Sequence, residues 1–435
     1  MMTMVEPDIE GAPWEEQAVG DDPLYRAQIV HLFERSRFYR EKFARAGFKS
    51  PADVGGLADI GALPFTEKDE LRQSRSPDEP IGTHRTAEPD AIVRIYSTSG
   101  TTGTPSYIPL VASDVDVWVR TSARSYAASG FARGERIVST YNAGPFVAGA
   151  ALEAFARLGL CHIPVGTGNT ERLIAAVDLL KPTIVALTPS YALHLTEWAE
   201  KRGFDLARSS VKRVMVAGEP GGGEPKMRAK LEAGWGASVT EAMGIGDISV
   251  SLWGECEAKA GMHFSGRGFV HFELIDPASG APVEMRDGAE GELVLTHLVN
   301  RSAPLLRFRT RDHVRLGFGR CACGRTAPRV RCIGRTDDML IVRGVNLFPS
   351  ALREVVHHFA PEVTGVIMIR PSAPGVRQEP PLPVVVEAAP GASDDLAERI
   401  RARIRDTLLV STQIQLAAAG SLPRSEYKSK LVEKV

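Results

Sequence analysis

The residues best suited to chemistry begin with a hydroxyl- and glycine-rich loop, "YSTSGTTGTPS", residues 96–106, between the apolar runs "AIVRIY" and "YIPL". Its glycines permit close backbone approach, its hydroxyls donate, and consecutive amide N–H groups can form an anion-binding nest. A solvated linker would have the same composition. The loop is not the G-x-x-x-x-G-K-[ST] phosphate loop, because Gly100 and Gly103 are too close and no lysine follows them. A kinase-type NTPase is therefore disfavoured. A second constellation joins Cys256 and His263, in "CEAKAGMH", to Cys321 and Cys323, in "CAC". Three thiols and an imidazole from two short segments suit a tetrahedral structural zinc, although C-x-C is tighter than the usual C-x-x-C. Reduced, partly buried thiols are the alternative. Cys161 and Cys332, beside apolar residues, read as core cysteines.

These groups need a scaffold, and the hydrophobic pattern supplies one. Residues 1–90 read as helical and irregular, with helical spacing in "LYRAQIVHLFERSRFYREKF". Ser113 and Asp116 form a capping-box pattern that predicts a helix through "VDVWVRTSARSYAA". "TIVALT" and "VKRVMVAG" read as strands, with helices in "RLIAAVDLL" and "EPGGGEPKMRAKLEAG". Strands alternating with helices imply an α/β fold whose sheets are mostly parallel and covered on both faces. From about residue 265, "GFVHFELI", "GELVLTHL" and "DHVRLGF", separated by turn signals, predict a β-rich subdomain. A small α+β unit follows, with strands in "VTGVIMIRP" and "PPLPVVVEA" and an amphipathic helix in "DDLAERIRARIRDTLL".

Composition narrows the function. The chain has 435 residues, too many for one ordinary core, with 43% hydrophobic and 24% charged residues and a net charge of −1. That balance argues against nucleic acid as the main partner, since phosphate binding relies on clustered basic charge. No apolar run reaches the ~18 residues of a membrane span, and the acidic amino terminus lacks a signal-peptide pattern. Five cysteines are too few for a disulfide framework in a chain of this length. A cytoplasmic protein is expected, with a homodimer as the commonest oligomer.

In order along the chain, "YSTSGTTGTPS", "EAMGIGD", "LLRFRTRD", "GRTDDMLIVRGVNLFPS" and "LPRSEYKSK" resemble the signatures of adenylate-forming enzymes. "TERLIAAVDLLKPTIVALTPSYALHL" and "GVNLFPS" are similar to the phenylacetate–CoA ligase branch in particular. The resemblance runs from about Tyr96 to the C-terminus. It implies a large N-terminal adenylation domain, residues 1–336 with the β-rich subdomain at about 265–336. A small mobile C-terminal domain, residues 337–435, would turn about a hinge at Asp337. It also implies two steps: a carboxylate attacks the α-phosphate of ATP to give acyl-adenylate and pyrophosphate, then coenzyme A displaces AMP to give a thioester.

The resemblance also distributes roles. Ser97, Thr98, Ser99, Gly100, Thr101, Thr102 and Gly103 would cradle the phosphates. Asp312 would accept the ribose hydroxyls, Arg335 would contact ribose or phosphate, and Glu241, Met243 and Gly244 would flank the adenine. Asp247 stands where the family has a glutamate that helps hold Mg²⁺; it is still a hard oxygen ligand, on a shorter stem. Lys428 matches the C-terminal lysine that neutralises carboxylate and α-phosphate during adenylation, with Lys430 as the fallback. Two departures stand out: "MGIGD", with Met243 for the usual aromatic and Asp247 for the glutamate, and Tyr427 for the usual glycine. Ser106, where many adenylate-forming enzymes carry lysine, is no departure within this branch.

Tyr141, Phe146, Ala217, Gly218, Glu219, Pro220, Met243 and Gly244 fall on the segments that line the acid pocket in this branch. Two flat rings and several small residues favour a planar aromatic acid over a long chain. Asn142 and Glu219 could address a ring hydroxyl or amine, so a hydroxy- or aminobenzoate is expected beside phenylacetate. The acyl acceptor is coenzyme A or, alternatively, a carrier protein, an amine or a hydroxyl. A binding protein without activity on the same fold is the reading from another class, and Met243, Asp247 and Tyr427 are what favour it.

Overall fold

The computed structural model describes residues 4–97, 106–141, 147–166, 169–336, 338–343, 345–373, 376–424 and 430–433. The architecture is mixed α/β, with a large sheet-rich N-terminal body and a small C-terminal domain. The chain forms two compact units, Met1–Gly166 with Thr240–Thr310 and Arg315–Arg331, and Thr167–Val239 with Arg311–Val314 and Cys332–Val435.

In the first unit the helix Gln17–Arg35 buries Tyr25, Ile29 and Leu32, one apolar stripe at spacings of four and three. Ser36 ends it and caps the next helix, Arg37–Arg45, with its Oγ accepting the Tyr39 N–H at 3.3 Å. The strands Ile92–Ser97 and Tyr107–Val111 form an antiparallel ribbon with Ser97 opposite Tyr107. Its inner face rests on the helix Ala112–Ala128, where Tyr96 stacks on Trp118 with centroids 6.0 Å apart and planes at 8°. The capping box expected at Ser113 is not formed. Val111 is the N-cap, without a side-chain cap. Asp114 turns inward, its carboxylate accepting the N–H groups of Arg301 and Ser302 at 2.9 Å each, which satisfies a buried acid.

The same helix meets the strand Ser249–Glu255 closely enough that a Cβ on Gly254 would lie 2.1 Å from the Ser125 carbonyl oxygen. That strand pairs antiparallel with Ser238–Ile245 on one side and Met262–Phe264 on the other. Arg136–Ser139 and Cys161–Pro164 pair in parallel. Cys161 is exposed and Cys332 half-buried, so neither is the core cysteine expected; the Cys161–Pro164 strand lies at a sheet edge and its end residues face outward.

In the second unit, Ile184–Leu187 is wholly buried and runs parallel to Arg213–Ala217, with the helices Pro189–Lys201 and Pro225–Trp235 following them. The C-terminal domain has its own core, including Leu352, Val356, Ile367, Val384, Ile400 and Ile404. Its strands Val363–Ile369, Leu382–Ala388 and Thr412–Ala418 form one sheet, antiparallel and then parallel. The sequence does not predict the third strand, because "TQIQLAA" is largely glutamine and alanine. Its parallel partner, not its own composition, makes it a strand.

Candidate functional site

Thr98, Ser99, Gly100, Thr101, Thr102, Gly103, Phe146, Asp337 and Lys428 lie outside the described residues. The stem of the glycine loop lies within them. Ser97 ends one strand and Ser106 precedes the other, both buried. The Arg75 guanidinium sits 5.3 Å over the ring of Tyr107, the first residue of the returning strand.

Asp247 stands in the turn between Ser238–Ile245 and Ser249–Glu255. The register shifts between Met243 and Ile245, and a Cβ on Gly244 would lie 1.9 Å from the Val250 carbonyl oxygen. Only glycine fits this bulge, which explains the glycine of "EAMGIGD" on backbone grounds. Asp247 Oδ2 accepts a hydrogen bond from Lys68 Nζ at 2.7 Å; its side chain is 8% exposed and that of Lys68 32%. Lys68 opens the short helix Lys68–Gln73, 179 residues earlier, and nothing in the sequence pattern had singled it out. Burial, reinforced by Arg75, pushes His84 down to about 4, so this neighbour of Asp247 stays neutral. A buried carboxylate with a removable ammonium partner can exchange that partner for another cation.

Glu241 is buried in its strand, and its N–H donates to Glu255 Oε2 at 3.2 Å. Met243 is half-buried opposite Trp253. Tyr141 is half-buried too, its ring stacked at 7° on fully buried Phe155 with centroids 6.3 Å apart.

In the second unit Arg335 Nη1 lies 3.4 Å from Asp312 Oδ1, and the pair is held by backbone. Thr336 donates its N–H to the Arg311 carbonyl at 2.7 Å, with Arg311 at a φ of 66°. Ala217 and Gly218 close the strand Arg213–Ala217 at a left-handed turn, Gly218 having a φ of 93°. Glu219 Oε1 accepts the Ser190 N–H at 2.7 Å, at the N-terminus of Pro189–Lys201, and the Pro220 carbonyl accepts Arg353 Nη2 at 2.9 Å.

The segment that carries Lys428 is rooted at both ends. Before it, Glu387 accepts Arg424 Nη1 and Nη2 at 2.8 and 2.9 Å and the Leu422 N–H at 2.7 Å. Burial would raise the Glu387 pKa, but Arg424 and the backbone N–H groups of Leu422 and Gly420 outweigh it and hold the carboxylate below its ordinary value. After it, Ile369 donates to the Leu431 carbonyl at 2.8 Å and accepts the Glu433 N–H at 2.9 Å.

Cys256, His263, Cys321 and Cys323 place their four ligand atoms within 4.8 Å of one another. Cys256 and Cys321 Sγ are 3.6 Å apart, and Cys323 Sγ is 3.4 Å from His263 Nε2. Tetrahedral zinc, with bonds of ~2.3 Å to sulfur and ~2.0 Å to nitrogen, would space such atoms by about 3.5–3.8 Å. His263 Nδ1 faces the Ala327 carbonyl at 3.4 Å, which aims Nε2 at the thiols. The hydrogen bond from Cys256, and then His263, hold the Cys323 thiol well below its ordinary value, while the same contact raises Cys256. Pairing Arg329 with His263 brings the two segments together, and the buried Arg325–Glu10 ion pair, 2.8 Å, ties the "CACGR" turn to the amino-terminal segment.

A family model described as AMP-binding enzyme matches residues 33–297, and one described as AMP-binding enzyme C-terminal domain matches residues 344–434. The phenylacetate-coenzyme A ligase of Thermus thermophilus is 33% identical over 97% of each chain. A solved 2-hydroxyisobutyryl-CoA ligase, in the postadenylation state with 2-HIB-AMP, is similar at a TM-score of 0.89 and 26% identity, over 99% of this chain and 92% of that one. The same ligase in its thioesterification state, with 2-HIB-AMP and CoA, gives 0.72 at 26% identity, over 98% and 91%.

Proposed function

The chain belongs to the AMP-binding enzyme family, in the branch of the phenylacetate-coenzyme A ligases, and on that premise we propose that the acid it activates is aromatic. It is an AMP-forming acid–thiol ligase, joining an acid to AMP with release of pyrophosphate and then to the thiol of coenzyme A with release of AMP.

Ser97 and the loop after it bind the phosphates as a nest of N–H and hydroxyl donors. Asp312, oriented by Arg335, accepts the ribose hydroxyls, and Glu241, Met243 and Gly244 flank the adenine. Asp247 is the carboxylate that would hold Mg²⁺, which when bound neutralises phosphate charge; Lys68 is the cation that balances Asp247 otherwise. Lys428 brings positive charge to the carboxylate and α-phosphate, the region where negative charge concentrates as the new bond forms. The segment from about residue 337 moves between the two steps, a reading supported by the different likenesses to one ligase in two states. The quartet Cys256, His263, Cys321 and Cys323 would hold a structural zinc, remote from the chemistry in role.

The observation that carries the aromatic reading is the half-buried Tyr141 ring, stabilised flat on Phe155. By the family's pattern Phe146 would supply a second ring, and Ala217, Gly218 and Pro220 are the small residues assigned to the acid. Glu219, whose Oε1 caps a helix, is the carboxylate this reading assigns to a ring hydroxyl or amine. Carboxylate-dependent ATP–pyrophosphate exchange tests this across phenylacetate, substituted benzoates, 2-hydroxyisobutyrate and fatty acids. Exchange confined to the non-aromatic acids would overturn the aromatic reading. Thioester detected by mass spectrometry on adding coenzyme A identifies the acceptor. Lys428→Ala should suppress exchange by on the order of 10²-fold; an unchanged rate would remove Lys428 from the mechanism.

A further inference from the structure

The helix Pro349–His357 presents Arg353 and His357, four residues apart and both buried, on one face. Arg353 Nη2 donates to the Pro220 carbonyl at 2.9 Å. The next residue, Gly221, has a φ of 131°, and a Cβ there would lie 2.6 Å from that same nitrogen. His357 Nδ1 lies 2.6 Å from Glu224 Oε1, and Nε2 lies 3.1 Å from the Gly365 carbonyl oxygen. A Cβ on Gly365, at a φ of 91°, would lie 2.3 Å from Nε2. Both ring nitrogens face oxygen atoms, and the Glu224 carboxylate beside Nδ1 has its other oxygen 3.9 Å from Arg353 Nε. Lys230 Nζ adds a third tie, to the Thr364 carbonyl at 3.0 Å.

We propose that Arg353 and His357 form a two-pronged clasp by which the C-terminal domain, when docked, grips the 217–224 segment. They are positioning residues, acting through Pro220 and Glu224. Two features make the clasp a discrete state. Its charges are buried, and separating them without new partners is costly, so intermediate positions are poorly populated. Its glycines allow side chains to reach backbone where any other residue would hold them off. The consequence for catalysis rests on the reading above, in which Ala217, Gly218, Glu219 and Pro220 contact the acid. An acid that favours the clasped segment favours the docked domain, and by reciprocity the docked domain favours that acid.

Hydrogen–deuterium exchange on the full chain without substrates tests the clasp directly, comparing wild type with Arg353→Lys, His357→Gln and Glu224→Gln. Exchange should accelerate by about tenfold or more in both residues 218–224 and residues 363–369. The buried strand Ile184–Leu187 should keep its protection, which shows that the variants fold. Acceleration on one side alone, or on neither, overturns the clasp. Pyrophosphate exchange tests the coupling: the KM for the acid should rise by about fivefold or more while that for ATP stays within about twofold. Equal changes in both constants, or none, overturn the coupling. A wild type that exchanges with no acid would overturn the ligase reading, and deuterium exchange would still decide the clasp.

Discussion

Lys68 Nζ lies 2.7 Å from Asp247 Oδ2, which gives the proposed metal carboxylate a protein cation of its own. If the two act as a unit, Lys68→Met and Asp247→Asn should each slow acid-dependent pyrophosphate exchange by on the order of 10²-fold. The double variant should then be no slower than the worse single one, because each substitution removes the same interaction. Losses that multiply would show that the two side chains act separately.

Acid should weaken the fold through buried histidines, His84 and His297 among them. Burial pushes His297 down to about 4, and burial with Arg75 does the same to His84, from an ordinary value of 6.5. The His297 tautomer is set, since Nδ1 accepts the Leu305 N–H at 3.0 Å while Nε2 faces the Ile248 carbonyl at 3.3 Å. Both rings are neutral when folded and take up a proton more readily when unfolded. Stability is therefore full above about 6.5 and lost as pH falls toward 4, by about 2 kcal/mol per histidine at pH ~5. Urea denaturation at pH ~7.5 and ~5 should show that loss, and His297→Asn should shrink the difference between the two. An identical difference in the variant would exclude His297 as a cause.

Metal analysis should find about one zinc per chain, with Cys256→Ser and Cys323→Ser each abolishing it and lowering the melting temperature. Breaking the support from outside the quartet gives a second measurement. Arg325→Met leaves Glu10 buried without its partner and should cost about 3–5 kcal/mol in denaturant melts. Zinc retained in full by Cys256→Ser would remove the site.

Glu387→Gln should uncouple the root of the Lys428 segment from the C-terminal sheet. The Arg424 guanidinium loses a buried carboxylate, so a stability loss of roughly 3 kcal/mol is expected. Adenylation should slow by about tenfold or more with little change in the KM for the acid, because the lysine approaches less often while the acid pocket is untouched. A raised KM with an unchanged maximal rate would contradict this role.

Much of the architecture was legible because it rests on local pattern. The helices Thr170–Leu180 and Leu396–Leu408 follow from apolar spacing, and Ile184–Leu187 from an unbroken apolar run. The elements misread depended on partners far along the chain. Ser113 has the chemistry of a helix cap, yet Asp114 is drawn to Arg301 and Ser302. Cys161 has apolar neighbours, yet it lies on an edge strand. "TQIQLAA" has little strand character until Leu382–Ala388 lies beside it.

The site divides along the same line. By itself the sequence determined the family, through motifs whose order no single loop could imitate, and the ligand chemistry of Cys256, His263, Cys321 and Cys323. Only the tertiary structure decided which groups meet: Lys68 with Asp247, Arg424 with Glu387, and Arg353 and His357 with the 217–224 segment. A motif records residue types at short spacing. Long-range ion pairs depend on where the packed core leaves two charges, and burial, which makes such a pair matter, exists only once the chain has folded.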